Sequence, residues 1–352
     1  MEGSIDRVTA VLDGHMPDRA PMFDLLRNDA VIEHFAGRSL TFENAEEVAY
    51  AAYAPAIDAT RPSVRMPGRE TSNTLEDGRV QKHHRWTSWT QHKEYRDAEA
   101  YAVAKRAEMA ACDPSAWDES RHTLLEDSLR KIDNERRKLG EVFFMPGIPG
   151  PALMEIFGEV GLEAFSYFLA DCPEIIVALL EWNTVVAVTL AQHYPKNHGI
   201  AAGFLGDDIA FNSGPFLNPI WLREHYFPRL GRTIAAWHAK GIRVLFHSDG
   251  NLNPILDDLV EAGIDGLNPI EVLAGMDIAD IHQRYPRLFL AGGIDVSQLL
   301  PLGSPQDVRD AVKQAIDAAE GRIMIGSSTE LNNDVPLENF LALREAVLEN
   351  TY

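Results

Sequence analysis

His247 and Asp249 combine an imidazole and a carboxylate at a spacing that suits a metal site or a proton-transfer pair. They follow the apolar run 243–246 and are separated by one residue, so on an extended backbone both side chains face the same way. Glu271 ends the next apolar segment and would lie beside them on a neighbouring strand. One histidine and two carboxylates can hold a divalent metal with positions left open for water or substrate. A hydrogen-bonded histidine–carboxylate pair explains the same spacing equally well.

Acidic and polar side chains also follow the other apolar segments. Asp207 and Asp208 end segment 200–208, and we predict that one of them points inward and acts with His247 in catalysis. Isolated acids at such positions often cap helices or form turns, but their concentration at one rim is harder to explain in that way. No Gly-x-Ser-x-Gly elbow is present, which disfavours a serine nucleophile. The residues predicted to bind substrate are Asp24, Met145, Asn268, Ser328 and Glu330.

The apolar segments that carry these residues indicate the fold. From about residue 140 onward, short apolar runs alternate with amphipathic helices, which is typical of a parallel sheet covered on both faces. We predict a (β/α)8 TIM barrel, whose active site lies at the carboxyl ends of its strands. A doubly wound open sheet is the alternative, although no Gly-x-Gly-x-x-Gly follows a first strand. The predicted strands are 20–25, 141–147, 200–208, 243–250, 264–271, 287–295 and 322–328.

Residues 1–135 have a more mixed pattern than the main barrel units, 140–352. We predict that they form an N-terminal helical extension within a single domain, 1–352. Segment 71–95 contains the turn signal 76–79 and then alternates polar residues with Trp86 and Trp89. This pattern predicts a β-hairpin insertion that lies over the cavity and helps to exclude water from it.

Composition limits the classes of function. The chain carries 32 Lys and Arg against 53 Asp and Glu, a net charge of −21, which argues against nucleic acid or an anionic membrane as the main partner. Two cysteines, Cys112 and Cys172, argue against a disulfide framework and exclude an all-thiolate zinc site within one chain. We see no signal-peptide pattern and no uninterrupted apolar span, so we expect a cytoplasmic protein that does not cross a membrane.

A series of motifs, in order over most of the chain, resembles the uroporphyrinogen decarboxylase superfamily, which also holds zinc-dependent methyltransferases that act with methylcobamide proteins. The resemblance implies an (α/β)8 barrel with an N-terminal helical extension. Together the motifs are specific for the superfamily, but they do not specify a reaction. They occupy residues 7–21, 206–215, 246–251, 262–269, 275–277, 292–295 and 334–339.

The resemblance is closer to the methyltransferase branch. Decarboxylases of the superfamily carry an arginine-rich RQAGR segment soon after the opening, and the corresponding stretch here, 24–29, lacks it. In the methyltransferases an H-x-C pair, a Glu at the next strand end and a late Cys hold zinc. His247 and Glu271 match two of these ligands, whereas Asp249 and Ser327 stand where the two thiolates are expected.

The resemblance therefore implies a metal-dependent methyltransferase that moves a methyl group from a small O- or N-methyl substrate to a corrinoid protein. Without thiolates, we expect weak or partial occupancy by zinc, or another divalent metal bound through harder oxygen ligands. A metal-free decarboxylase of the uroporphyrinogen decarboxylase type is the alternative, and a non-catalytic or unrelated lyase barrel is the third. The expected partners are the methyl donor and the corrinoid protein, and a homodimer is compatible with the sequence.

Overall fold

The computed structural model describes residues 2–62, 64–196 and 198–352, in which short strands alternate with helices. In chain order the strands are β1 (Ala59–Thr60), β2 (Thr71–Thr74), β3 (Val80–His83), β4 (Ser88–Thr90), β5 (Phe143–Phe144), β6 (Ala202–Gly206), β7 (Ala210–Phe211), β8 (Gly214–Pro215), β9 (Arg243–His247), β10 (Gly266–Asn268), β11 (Phe289–Ile294) and β12 (Ile323–Ser327).

The helices connect these strands. A π-helical turn, Leu222–Tyr226, precedes α10, and single 3-10 turns lie at Asn253–Ile255 and Val272–Ala274. In chain order the α-helices are α1 (Ser4–Leu12), α2 (Asp29–Ala36), α3 (Ala45–Ala56), α4 (Ala98–Ala110), α5 (Glu119–Leu139), α6 (Leu153–Val160), α7 (Leu162–Asp171), α8 (Pro173–His193), α9 (Pro219–Trp221), α10 (Phe227–His238), α11 (Leu256–Ala262), α12 (Ile278–Arg284), α13 (Leu299–Leu302), α14 (Pro305–Ala318) and α15 (Leu337–Glu349).

Parallel pairings connect eight segments in a ring. Strands β6, β9, β10, β11 and β12 form one parallel sheet in that spatial order, and β1 pairs in parallel with β5. Isolated parallel bridges join Gly147, just after β5, to Phe204 of β6, and Phe23 to Ala59 of β1. A further bridge joins Met22 to Ile325 of β12. The fold class is the predicted (β/α)8 barrel, whereas an open sheet would have two free edges.

Large apolar side chains fill the inside of this ring. They come from alternate strand positions that face inward, as barrel geometry requires. Gly326 lies where β12 meets the first segment, and a Cβ there would be 1.7 Å from the carbonyl oxygen of Phe23. Only glycine therefore permits this close approach. The interior cluster includes Phe143, Met145, Phe204, Leu245, Phe289 and Met324.

The predicted hairpin is instead a three-stranded antiparallel sheet, β2–β3–β4. The turn signal falls between β2 and β3 as expected, but a second turn returns the chain to form β4. Trp86 is buried and its Nε1 donates to Oδ1 of Asp29 at 2.8 Å, whereas Trp89 is exposed. Because α2 begins at Asp29, after the carboxyl end of the first barrel segment, this contact places the sheet at the same end of the barrel as the polar strand ends.

Helix α8 is the one helix of the described residues that is long and apolar enough to cross a membrane. That description rests on its length and composition alone. Here α8 belongs to the outer helix layer of the barrel, where it packs against α10 and buries Ile176, Leu180 and Ala187.

Candidate active site at the barrel mouth

His247 ends β9, in register with Gly206 of β6 and Asn268 of β10. Its Nδ1 lies 2.6 Å from Oδ1 of Asn268. The amide nitrogen of Asn268 donates to the Ala291 carbonyl, so Oδ1 is the atom that faces the imidazole. Since this oxygen can only accept, Nδ1 carries the hydrogen and Nε2 presents its lone pair to the barrel mouth.

The mouth cluster, defined as Asp208, His247 and Asp249, surrounds this lone pair. Nε2 of His247 lies 3.7 Å from Oδ1 of Asp208 and 3.7 Å from Oδ1 of Asp249. The backbone N–H of Asp249 donates to Oδ1 of Asp208 at 3.0 Å, which fixes the two acids relative to each other. Oδ1 of Asp249 is buried without a hydrogen-bond partner among the described residues. The cluster therefore offers one nitrogen and two oxygen donors, and one of these oxygens has no other partner. Such a donor set fits a divalent cation.

Burial controls the protonation of the mouth cluster. Burial, assisted by the positive charge of Arg61, lowers the pKa of His247 to about 4. Burial, followed by the charges of Asp208 and Glu271, raises the pKa of Asp249 to about 7. The imidazole is therefore neutral at neutral pH, which is the form that binds metals. A bound cation would relieve the repulsion between the carboxylates and favour their ionised form.

Two predicted metal ligands lie outside the mouth cluster. Strand β10 ends at Asn268, so Asn268 stands beside His247, and Glu271 lies three residues further on at the start of a 3-10 turn. Ser327 ends β12, three strands away round the ring, where its Oγ donates to Oδ1 of Asp24 at 2.8 Å. Asp208 is the third donor residue of the mouth cluster, because it follows β6, the strand adjacent to β9.

Asp207 and Asp208 have separate positions, as expected for consecutive residues after a strand. Asp207 is fully buried in the barrel wall and accepts three hydrogen bonds. Its donors are the backbone N–H groups of Leu153 at 3.0 Å and Met154 at 2.6 Å, and the hydroxyl of Tyr226 at 2.8 Å. Asp207 therefore anchors the first turn of α6, and of the pair only Asp208 brings its side chain to the imidazole of His247.

Two buried arginines at the mouth escaped the sequence analysis. Arg27 and Arg61 share one carboxylate, with Arg27 Nη1 bonded to Oε1 of Glu330 and Arg61 Nη2 3.5 Å from Oε2. The Arg61 guanidinium lies 4.9 Å from the ring centre of Phe204, whose ring is 5.1 Å from that of His247. The mouth is therefore mixed in charge. Arg61 directly follows β1, and the apolar pattern of the sequence did not predict the bounds of that strand.

The residues predicted to bind substrate differ in accessibility. Four of them are buried and bonded within the barrel, and Glu330 keeps a quarter-exposed side chain beside Arg61. Of the five, only Glu330 exposes part of its side chain in this conformation. The four buried residues are Asp24, which accepts from Ser327; Met145, in the interior; Asn268, bonded to His247; and Ser328, which accepts from the Val296 N–H.

The fold and the mouth cluster define a parallel α/β barrel with a histidine–carboxylate site. The sequence profile of uroporphyrinogen decarboxylase (URO-D) matches residues 151–350, more than half of the chain. The chain therefore belongs to the uroporphyrinogen decarboxylase family, whose members are enzymes. The matched range contains the whole mouth cluster.

Solved structures extend the comparison to the N-terminal part. A methyltransferase from Methanosarcina mazei shares the fold over 99% of both chains, with 18% identity and a TM-score of 0.69. A B12-independent methionine synthase from Shewanella sp. W3-18-1, in complex with selenomethionine, gives a TM-score of 0.46 at 13% identity over 94% of this chain and 98% of its own. No curated protein sequence matches the chain.

Proposed function

We propose that this protein moves a methyl group from a small O- or N-methyl substrate to a corrinoid carried by a partner protein. The observation that carries the proposal is the mouth cluster, whose three donor atoms lie within 4.8 Å of one another. Asp208, His247 and Asp249 would hold a divalent metal. The shared fold with the Methanosarcina mazei methyltransferase is compatible with this assignment.

The metal would supply Lewis-acid polarisation of the oxygen or nitrogen that carries the methyl group. The donor set contains no thiolate, so it favours zinc less strongly than a cysteine-rich site and accepts harder divalent ions. Asn268 keeps Nε2 of His247 directed at the mouth. Glu330 and Arg61 flank the opening and would contact the polar part of the substrate.

The transfer also needs a proton at the leaving heteroatom. The electron pair of the broken C–O or C–N bond would stay on that atom, which would then take up a proton; a reduced corrinoid on the partner would supply the pair for the new bond to the methyl carbon. We assign the donation of this proton to Glu271. It is half-buried beside the mouth cluster, and burial, with the charge of Asp295, raises its pKa.

The test combines metal analysis with turnover. Protein purified without chelator or affinity-tag nickel is analysed for bound metals, then incubated anaerobically with reduced cobalamin and a panel of O- and N-methyl compounds. We expect a divalent metal and methylcobalamin formation, both lost in His247→Ala and Asp208→Asn and both retained in the exposed control Asp310→Asn. A wild-type protein that binds no divalent ion at millimolar concentration contradicts the proposal.

A metal-free decarboxylase is the second candidate, and one observation favours it. The raised pKa of Asp249, with burial as its main cause, provides a protonated carboxyl beside a neutral imidazole without any metal. Such a pair can protonate the carbanion that loss of carbon dioxide leaves. Release of carbon dioxide from carboxylic acids by chelator-treated protein, abolished in Asp249→Asn, would support this second function.

A further inference from the structure

Segment 61–93, which contains the sheet β2–β3–β4, is basic within a strongly acidic chain. It carries seven Lys and Arg against three Asp and Glu, whereas the whole chain has a net charge of −21. Trp86 anchors this segment at the carboxyl end of the barrel through its bond to Asp29. A positive surface therefore lies beside the mouth.

Three of these seven side chains line one cleft of about 550 Å³. None of the residues that line it is Asp or Glu. Hydroxyl and amide groups, from Thr71, Asn73, Thr87 and Ser88, complete its polar wall. Its basic side chains, which we call the basic cleft, are Arg65, Arg69, His83, His84 and Arg85.

Two guanidinium groups of the basic cleft lie near one aromatic ring. Arg69 lies 4.4 Å and Arg85 5.5 Å from the ring centre of Phe42. Stacking fixes a guanidinium plane and leaves its N–H edges free to donate. Each of these two arginines has one carboxylate partner. Asp29 lies 2.6 Å from Arg85, and the exposed Glu43 lies 3.4 Å from Arg69.

Arg65 is one of the arginines that line the basic cleft. Among the described residues, no carboxylate lies within 4.0 Å of its side-chain nitrogens. Burial lowers the pKa of Arg27, Glu330 opposes that effect, and the positive charge of Arg65 lowers it further. Arg27 in turn shares Glu330 with Arg61 at the mouth.

We infer that the basic cleft is a binding site for a small molecule that carries phosphate or carboxylate groups. Planar guanidinium groups with free N–H edges bind such oxyanions in bidentate fashion, and the neighbouring hydroxyls add donors. The inference depends on the sheet and its arginines and not on a metal at the mouth cluster.

The test is calorimetric titration of the full-length protein with pyrophosphate and, separately, with citrate. We expect saturable binding of at least one probe, weakened by salt. The double variant Arg65→Ala/Arg69→Ala should lower the affinity at least tenfold, and Arg65→Lys/Arg69→Lys should lower it less, because lysine keeps the charge but loses the planar fork. The matched control, Arg96→Ala/Arg130→Ala, removes two exposed arginines outside the cleft and should bind like the wild type.

Three results would overturn the inference. They are the absence of saturable binding in the wild type at millimolar probe, an equal loss in the control double variant, and loss of binding in His247→Ala, which would place the probe at the mouth cluster. If the double alanine variant fails to fold by circular dichroism, the lysine variant decides. Binding of pyrophosphate alone identifies a phosphate ligand, and binding of citrate alone identifies a carboxylate ligand.

Discussion

Nδ1 of His247 and Oδ1 of Asn268 lie 2.6 Å apart on adjacent strands, at positions that are paired in the register of the sheet. The bond therefore depends on the barrel itself and not on a mobile loop. It fixes both the tautomer and the ring orientation of the imidazole, and a ligand held in this way binds metal more tightly than a free one.

Replacing Asn268 should weaken metal binding while leaving the three donor side chains in place. Loss of a hydrogen-bond partner behind a metal-binding histidine costs about 10- to 100-fold in affinity, and we expect a loss of that size in Asn268→Ala. A competition titration with a chromogenic chelator measures it. Asn350→Ala, at the end of α15, serves as the control. Unchanged affinity in Asn268→Ala would show that His247 is not a ligand.

Asp249→Cys should raise the affinity for zinc, because a thiolate is a better zinc ligand than a carboxylate and the change restores a His-x-Cys pair. Ser327→Cys is the comparison, since Ser327 is bonded to Asp24 and lies three strands away from His247. We expect it to leave zinc affinity unchanged. Equal or weaker zinc binding in Asp249→Cys would contradict the ligand role of Asp249.

The stability of metal-free protein should depend on pH through Asp249. Burial, with the charges of Asp208 and Glu271, raises the pKa of Asp249 from 3.8 to about 7, so between those values the folded chain holds a proton that the unfolded chain releases. This term stabilises the protein at low pH and is lost as pH rises toward 7. In thermal melts from about pH 5 to about pH 8, Asp249→Asn should lose less stability than the wild type. Asp310→Asn should keep the wild-type slope, and a shared slope would show that Asp249 ionises normally.

Replacing Asp207 should lower the stability of the protein, because Asp207 has a structural role. Asp207→Asn removes a buried charge that accepts from Leu153, Met154 and Tyr226, and it turns an amide N–H toward existing donors. We expect a loss of about 1–3 kcal/mol in the free energy of unfolding, measured with urea. Tyr226→Phe, which removes one donor, should cost less. Full stability combined with abolished turnover in Asp207→Asn would instead support a catalytic role.

Trp86 should hold the sheet β2–β3–β4 against the barrel. Trp86→Ala removes its buried packing and its bond to Asp29, so trypsin should cut faster at Arg79 and Lys82. Trp89→Ala, at an exposed position of the same sheet, should keep the wild-type cleavage rate. Equal cleavage rates in all three proteins would mean that Trp86 does not anchor the sheet.

Alternation of apolar strands and helices was enough to predict the barrel, because burial on both faces of a parallel sheet leaves a strong pattern. Asp208 was predicted as one of two residues that could point inward beside His247, but not as a donor in the place expected for Glu271. The expectation for Glu271 depended on where β10 ends, and strand ends leave only a weak signal in the sequence. Arg61 was missed because β1 has only two residues, Ala59–Thr60, which is too short for a periodic pattern.

The sequence predicted a two-stranded hairpin where the structure has three strands, and this difference has a similar cause. The turn 76–79 has a strong local signal, but the pairing of β3 with β4 depends on the turn around Trp86, whose position is fixed by its contact with α2. Contacts between residues distant in sequence decide such details, and no local pattern records them. The predicted convergence of acids at one rim came instead from topology, which requires all parallel strands to end on the same side.

The bridge between Met22 and Ile325 sets an order for folding during synthesis. These two residues are neighbours in the ring but about three hundred positions apart in the chain. The first barrel segment therefore waits without one of its two neighbours until almost the whole chain has left the ribosome. Long-range closure of this kind is slow and leaves strand edges open in the meantime. We expect nascent chains that stop before residue 323 to expose Met22 and Phe23, and thus to depend on chaperones until the last strand arrives.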